Sequence, residues 1–136
     1  MTERLAGPSD RPARQELGRR AEDAARDYFL ERGLEVLGRN VRVGRLEVDL
    51  LVREGPVVAL VEVRTRGEGA WVGPFASVDA AKRARLVAAG KSLWRTRFSA
   101  DRTLERLRFD VVAVHFEPDG RARVEHVRAA FTTTSG

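Results

Sequence analysis

Residues 45–66 read RLEVDLLVREGPVVALVEVRTR, and this stretch decides the fold. Two runs rich in aliphatic and β-branched residues are separated by Gly55 and Pro56. Such runs on either side of a Gly-Pro break are typical of an antiparallel β-hairpin. We therefore expect two neighbouring strands, and each of them carries acidic residues among its apolar ones.

The register of this hairpin brings charged side chains together. With the turn centred between Gly55 and Pro56, Asp49 is predicted to lie opposite Glu62. Glu47 is then predicted to lie opposite Arg64, on the same faces of the two strands. The alternative is a slip of one or two residues, which separates the acids and leaves a solvated face.

Facing carboxylates beside Val and Leu are unfavourable in an ordinary strand, because like charges repel and burial costs them their hydration. A hard divalent cation such as Mg²⁺ or Mn²⁺ takes oxygen ligands, and its charge relieves that repulsion. Asp49 and Glu62 are therefore the candidate metal ligands.

Length and composition narrow the class of protein. The 136 residues suit one domain with a real core, and 43% hydrophobic with 33% charged residues is an ordinary globular composition. No apolar run approaches the roughly 18 residues of a membrane span, and neither end resembles a secretory signal. We therefore expect no contact with a membrane. The absence of cysteine excludes disulfides and thiolate chemistry and fits a reducing compartment, so a cytoplasmic location is expected.

The charge balance favours a nucleic-acid partner. The net charge is +5, and only two of the 25 basic residues are lysines. Arginine binds phosphate in bidentate fashion and stacks on flat surfaces, so DNA is a plausible partner. A coding bias toward arginine explains the same composition.

The chain before the hairpin is predicted to form a mobile arm over residues 1–13 and an amphipathic helix over residues 14–32. Glu22 falls at the margin of the apolar stripe of this helix, where a carboxylate can reach past the core. The helix has several other acidic residues, so a solvated glutamate is the better interpretation of Glu22 taken alone. Short strands are expected at residues 34–37 and 41–43, with a turn at residues 38–40.

After the hairpin, a glycine-rich loop contains Trp71, which either stacks on a base or packs in the protein. A helix is predicted over residues 78–94, with Val78, Ala81, Leu86, Ala89 and Leu93 in its apolar stripe. Lys82 and Arg85 lie within that stripe, so this end of the helix overhangs a cleft where they could meet phosphates, unless their stems simply reach outward to water.

The last third predicts a charged connection over residues 95–106, a central strand over 107–116 and a turn at 117–120. An edge strand over 121–127 and a frayed tail over 132–136 follow. His115 and His126 lack the spacing of a metal site or a catalytic triad, and we interpret both as structural.

An ordered set of short motifs resembles a known family. Each motif is weak alone, but together, over about residues 14–131, they look like the YraN family, which is similar to Holliday-junction resolvases and to the restriction-endonuclease-like fold. The motifs are residues 18–25, Arg39-Asn40, residues 47–50, residues 61–66, residues 77–82 and residues 108–114.

The resemblance implies an α/β fold, with a mixed β-sheet containing an antiparallel hairpin and flanked by helices, and a PD-(D/E)-x-K type nuclease site. Asp49 matches the Asp of that motif, Glu62 its second acid and Glu22 the helix carboxylate of the resolvases, while Arg64 stands where the motif has lysine. Leu46 also departs from the glycine that usually precedes Glu47 in the family.

Together with this resemblance, these residues predict a Mg²⁺- or Mn²⁺-dependent endonuclease. The resemblance implies structured or branched DNA as its substrate, and the expected nucleic-acid contacts are Arg66, Trp71, Lys82 and Arg85. Arg64 could stabilise the pentacovalent phosphate, yet it cannot act as a general base because arginine stays protonated. A salt bridge from Glu47, a supporting residue, would partly neutralise it. The alternative function is a DNA-binding or interaction module without turnover, and by analogy with resolvases the chain could form a homodimer.

Overall fold

The computed structural model describes residues 10–65 and 80–131, and for residues 10–12, 130 and 131 it describes the backbone alone. The elements are α1 (Asp10–Glu31), β1 (Glu35–Val43), β2 (Leu46–Glu54), β3 (Val57–Thr65), α2 (Ala80–Leu93), β4 (Arg106–Phe116) and β5 (Ala122–Phe131). A π-helical turn, Trp94–Phe98, continues α2. The predictions for Arg66, Trp71, residues 1–9 and residues 132–136 lie outside the described residues.

The five strands form one mixed sheet in the order β1-β2-β3-β4-β5. β3 and β4 are parallel, whereas the other three neighbouring pairs are antiparallel. A parallel pair needs a crossover, and α2 lies in the segment that connects β3 to β4. The predicted α/β class, a mixed sheet flanked by helices, is confirmed, and the arrangement is consistent with a restriction-endonuclease-like core.

The predicted hairpin register is confirmed for the paired part of β2 and β3. Its five backbone pairs run from Glu54↔Val57, next to the turn, to Leu50↔Val61. The turn between them is tight because Gly55 adopts a φ of +58°, a value that costs glycine nothing.

Each face of the sheet is covered by one helical segment. On one face, Ala21, Ala25 and Phe29 of α1 pack on a cluster that includes Ala59 and Val61 of β3. On the other, Leu86 and Leu93 of α2 and Phe98 pack on a cluster that includes Val58 and Leu60 of the same strand. Because strand side chains alternate between faces, β3 contributes to both layers of the core.

β1 differs from the prediction, since residues 38–40 form no turn and the strand runs unbroken from Glu35 to Val43. Its register against β2 shifts between Val36 and Gly38, which bends the strand. A Cβ at Gly38 would lie 2.8 Å from Val41 Cγ2, so any other residue at this bend would displace the side chain of Val41. Asn40 takes up the rest of the distortion with a φ of +51°, a conformation that asparagine tolerates better than most residues.

Several predicted boundaries were also wrong. α1 begins at Asp10, inside the predicted arm, because proline is tolerated in the first turn of a helix, where its missing N–H is not needed. Ala81 is exposed, while Leu86, Ala89 and Leu93 are buried as predicted. The connection 95–106 starts as helix and buries Phe98 and Leu104, and the edge strand extends to Phe131.

Candidate active site

The site lies where β2 and β3 stop pairing. Leu50↔Val61 is the last backbone pair of this ladder, and the next residue of β2 is Asp49. The backbone N–H of Val63 donates a hydrogen bond of 2.8 Å to Asp49 Oδ2. The carboxylate of Asp49 therefore accepts a hydrogen bond from the N–H group of Val63, which has no backbone partner in β2. The two strands diverge at this point.

Asp49 titrates near neutrality. Burial, followed by the negative charge of Glu62, raises the pKa of Asp49 from 3.8 to about 7, and the charge of Glu22 acts in the same direction. The hydrogen bond from Val63 and the charge of Lys82 oppose the rise only in part. Three carboxylates are therefore close enough to interact, which is the condition that a bound cation relieves.

Glu62 is 7% exposed and already has two cationic partners. Lys82 Nζ donates a hydrogen bond of 2.7 Å to Glu62 Oε2, and Arg64 Nη2 lies 3.2 Å from the same oxygen. Lys82 stands in the first turn of α2, so the start of this helix lies against Glu62. The site thus combines acids that can bind a cation with cations that can bind phosphate.

Glu22 is held from β1. Arg39 Nε and Asn40 Nδ2 each donate a hydrogen bond of 3.3 Å, to Glu22 Oε1 and Oε2 respectively. Arg39 also binds the neighbouring Asp23 through Nη1 at 2.7 Å. The bend in β1 turns two consecutive side chains toward α1. These contacts hold Glu22, whose negative charge acts on Asp49.

Replacing Arg39 with alanine is expected to lower the free energy of unfolding by about 1 kcal/mol, because it removes charge-assisted hydrogen bonds that tie α1 to the edge of the sheet. Urea denaturation at neutral pH measures this loss. Arg42→Ala, at an exposed position of the same strand, is the matched control and should change stability by less than about 0.5 kcal/mol. Equal losses of stability in the two variants would show that the hydrogen bonds of Arg39 do not stabilise the packing of α1 on β1.

Comparison with known proteins identifies the family of this chain. The model of the uncharacterised protein family UPF0102 matches residues 21–114. The chain belongs to this family. A UPF0102 protein of Sorangium cellulosum is 52% identical over 93% of this chain and 88% of its own length, and one of Anaeromyxobacter dehalogenans is 47% identical over 90% and 88%. A more distant UPF0102 protein, of Pseudomonas paraeruginosa, is 37% identical over 90% and 98%.

The match confirms the predicted membership of the YraN family, of which UPF0102 is the designation. The matched range includes Glu22, Asp49, Glu62 and Lys82, so the site lies inside the family's common region. Over the part of the UPF0102 chain that the structure describes, neither helix is both long and apolar enough to cross a membrane.

The carboxylates of this UPF0102 site are suitable ligands for Mg²⁺, but they are too few to complete its coordination. Within residues 10–65 and 80–131, no three or more Asp, Glu, His or Cys side chains are grouped so as to hold a metal ion by themselves. Asp49 and Glu62 provide two carboxylates whose negative charges repel each other. Mg²⁺ is commonly bound by one or two carboxylates, with waters and substrate phosphates in its other positions, so the pair fits a site that substrate completes.

Three further predicted residues, Glu47, Arg64 and Arg85, fall within the part of the chain that the structure describes. Glu47 is exposed and lies opposite Arg42 of β1, beyond the paired part of the hairpin, while Arg64 lies against Glu62. Arg85 is exposed on the flank of α2.

Sequence reasoning gave no role to Arg39 and Asn40, the two residues that hold Glu22. The signal was present, since both belong to a family motif, but the prediction of a turn at residues 38–40 removed them from the sheet.

Proposed function

We propose that this UPF0102 chain is a Mg²⁺- or Mn²⁺-dependent endonuclease that hydrolyses phosphodiester bonds in structured or branched DNA. The single observation that carries the proposal is the coupled pair Asp49 and Glu62 at the fork of β2 and β3, with a pKa of about 7 at Asp49. Perturbed acids at a break in a strand ladder are typical of functional sites. The preference for branched DNA rests on the resemblance to Holliday-junction resolvases.

The chemistry divides between acids and cations. When bound, a divalent ion would polarise the phosphate and activate a water molecule. Asp49 and Glu62 would hold it, and Glu22 would contribute through its negative charge or through water. Lys82 and Arg64 lie next to the same carboxylate and would stabilise the charge that develops on the phosphate oxygens.

Two ion pairs at Glu62 favour a second candidate function, a DNA-binding module without turnover. Lys82 and Arg64 compensate the charge of Glu62 without any metal ion. A carboxylate satisfied in this way has less to gain from Mg²⁺ than an isolated one. The two functions share the DNA surface and differ in whether a metal is needed.

A cleavage assay separates them. End-labelled linear, forked and four-way DNA is incubated with Mg²⁺, Mn²⁺ or EDTA and with wild type, Glu62→Gln or Glu47→Gln. We expect cleavage by wild type and by Glu47→Gln in metal only, and a loss on the order of 10²- to 10³-fold in Glu62→Gln. Glu47→Gln is the matched control, because it removes one exposed acid near the site.

Circular dichroism first shows that Glu62→Gln is folded. Equal cleavage by all three proteins, or none by wild type at any metal concentration, contradicts the nuclease proposal. Salt-sensitive DNA binding in EDTA, unaccompanied by cleavage in metal, supports the second candidate.

A further inference from the structure

The two helical faces of the sheet differ in charge. Residues 80–98, which form α2 and the π-helical turn, contain six basic residues and no acidic one. The basic residues are Lys82, Arg83, Arg85, Lys91, Arg95 and Arg97. Residues 10–31 of α1, on the other face, contain six acidic and five basic residues. An anionic partner is therefore attracted to the α2 face.

A shallow groove of about 330 Å³ runs along this face, between α2 and the turn that connects β1 to β2. Arg45 stands on the turn side and Arg85 on the helix side, and both are exposed. No ion pair joins either arginine to another residue within the described ranges. The floor between them is formed by small and apolar side chains, among them Leu46, Ala88 and Ala89.

The groove adjoins the candidate active site at both walls. On the turn side, Leu46 precedes Asp49 by three residues of β2, a distance of about 10 Å along a strand. On the helix side, Arg85 follows Lys82 by three residues, which is about one helical turn. A chain lying in the groove would therefore reach the Asp49–Glu62 pair at one end.

We propose that the groove binds a single strand of nucleic acid, with its phosphates on Arg45 and Arg85 and its sugars and bases on the apolar floor. A duplex presents its phosphates outward and buries its base faces in the stack, so its bases cannot contact the apolar floor of the groove. A single strand exposes both kinds of surface, and a cationic groove that follows the backbone is how proteins bind it. This inference rests on the proposed function and specifies its substrate as DNA with a single-stranded segment next to the scissile bond.

Fluorescence anisotropy in EDTA tests the groove separately from cleavage. The probes are labelled single-stranded and duplex DNA of equal length. We expect the double variant Arg45→Ala/Arg85→Ala to bind the single strand roughly tenfold or more weakly, with the slope of log K against log salt smaller by about 1.4. Ala88→Leu fills the floor without changing charge, and it should weaken single-strand binding while leaving duplex binding unchanged.

The matched control is Arg121→Ala/Arg123→Ala, which removes two exposed arginines from the region of β5, at the opposite edge of the sheet. Equal losses in the groove and control variants, or no binding of a single strand by wild type at low salt, overturn the groove. So does an acidic peptide that competes with the single strand on equal terms. Groove binding without cleavage in metal retains this inference and removes only the nuclease function.

Discussion

Asp49→Asn is expected to abolish metal-dependent cleavage, by a factor on the order of 10³ or more, while making the protein more stable at pH 8. Cleavage fails because an amide keeps the shape of the side chain but loses the charge that holds a divalent cation. Stability rises because ionised Asp49 is held in a buried position beside Glu62. A residue that costs stability and is needed for activity is typical of a functional site.

The direction of the pH dependence follows from the raised pKa. Asp49 has a pKa of about 7 in the folded protein against 3.8 for its ordinary value, so the folded state binds the proton more tightly. Its contribution to stability is complete below pH 4 and is lost as the pH rises through 7. The cost at pH 8 is at most about 4 kcal/mol, and partial exposure of the side chain reduces it.

Thermal and urea unfolding of wild type and Asp49→Asn at pH 4 and pH 8 measure this effect. The gain in the variant should be present at pH 8 and absent at pH 4. Mn²⁺ should raise the melting temperature of wild type more at pH 8 than at pH 6, since metal competes with the proton on Asp49. Stabilisation of the variant at both pH values alike, or an equal Mn²⁺ effect on both proteins, would refute this account.

The hairpin could be predicted because its information is local. A two-residue turn at Gly55 and Pro56 fixes the register, and the register fixes which residues approach Asp49. The end of backbone pairing at Asp49 could not be predicted from the sequence. It arises because the N–H group of Val63 donates to the Asp49 carboxylate and not to a backbone carbonyl of β2. The hairpin register therefore followed from the sequence, whereas the fork between the strands required the structure.

The contacts missed from sequence arise from distant parts of the chain. Arg39 meets Glu22 across 17 residues, and Lys82 meets Glu62 across 20. In β1, a left-handed Asn40 lets the strand continue where local propensity favours a turn, because pairing with β2 outweighs that preference. Helical periodicity placed Lys82 on the correct side of α2 but could not supply its partner.

A second buried cluster, around Asp110, also depends on contacts between distant parts of the chain that could not be predicted from the sequence. Asp110, 1% exposed, accepts hydrogen bonds from Arg108 Nε at 2.9 Å and from the backbone N–H of Ala129 at 3.0 Å. His126 Nε2 lies 2.8 Å from Asp110 Oδ2, and its Nδ1 lies 3.2 Å from the hydroxyl of Tyr28 on α1. The sequence interpretation of His126 as structural agrees with this position, but the Asp110 that anchors it was not recognised.

Asp110→Ala is expected to lower the free energy of unfolding by about 2–4 kcal/mol, because it leaves Arg108 Nε and the Ala129 N–H without their buried acceptor. Arg108 keeps its ion pair with Glu54, so its charge stays compensated in the variant. Burial alone would raise the pKa of Asp110, but the hydrogen bonds from His126, Arg108 and Ala129 hold the pKa below its ordinary value of 3.8. The stabilisation from this lowered pKa is therefore present above pH 4 and is lost as the pH falls below it.

Urea unfolding at pH 7 and pH 3 measures both effects, with the exposed acid Asp27→Ala as control, which should stay within about 0.5 kcal/mol of wild type. Asp110→Asn keeps the volume and one acceptor oxygen, so it should lose less than Asp110→Ala at pH 7. If Asp110→Ala and Asp27→Ala unfold at the same urea concentration, the cluster does not hold β4, β5 and α1 together. Because α1 also carries Glu22, a loosened cluster would displace a carboxylate of the candidate site, which links the stability of this cluster to the chemistry at Asp49.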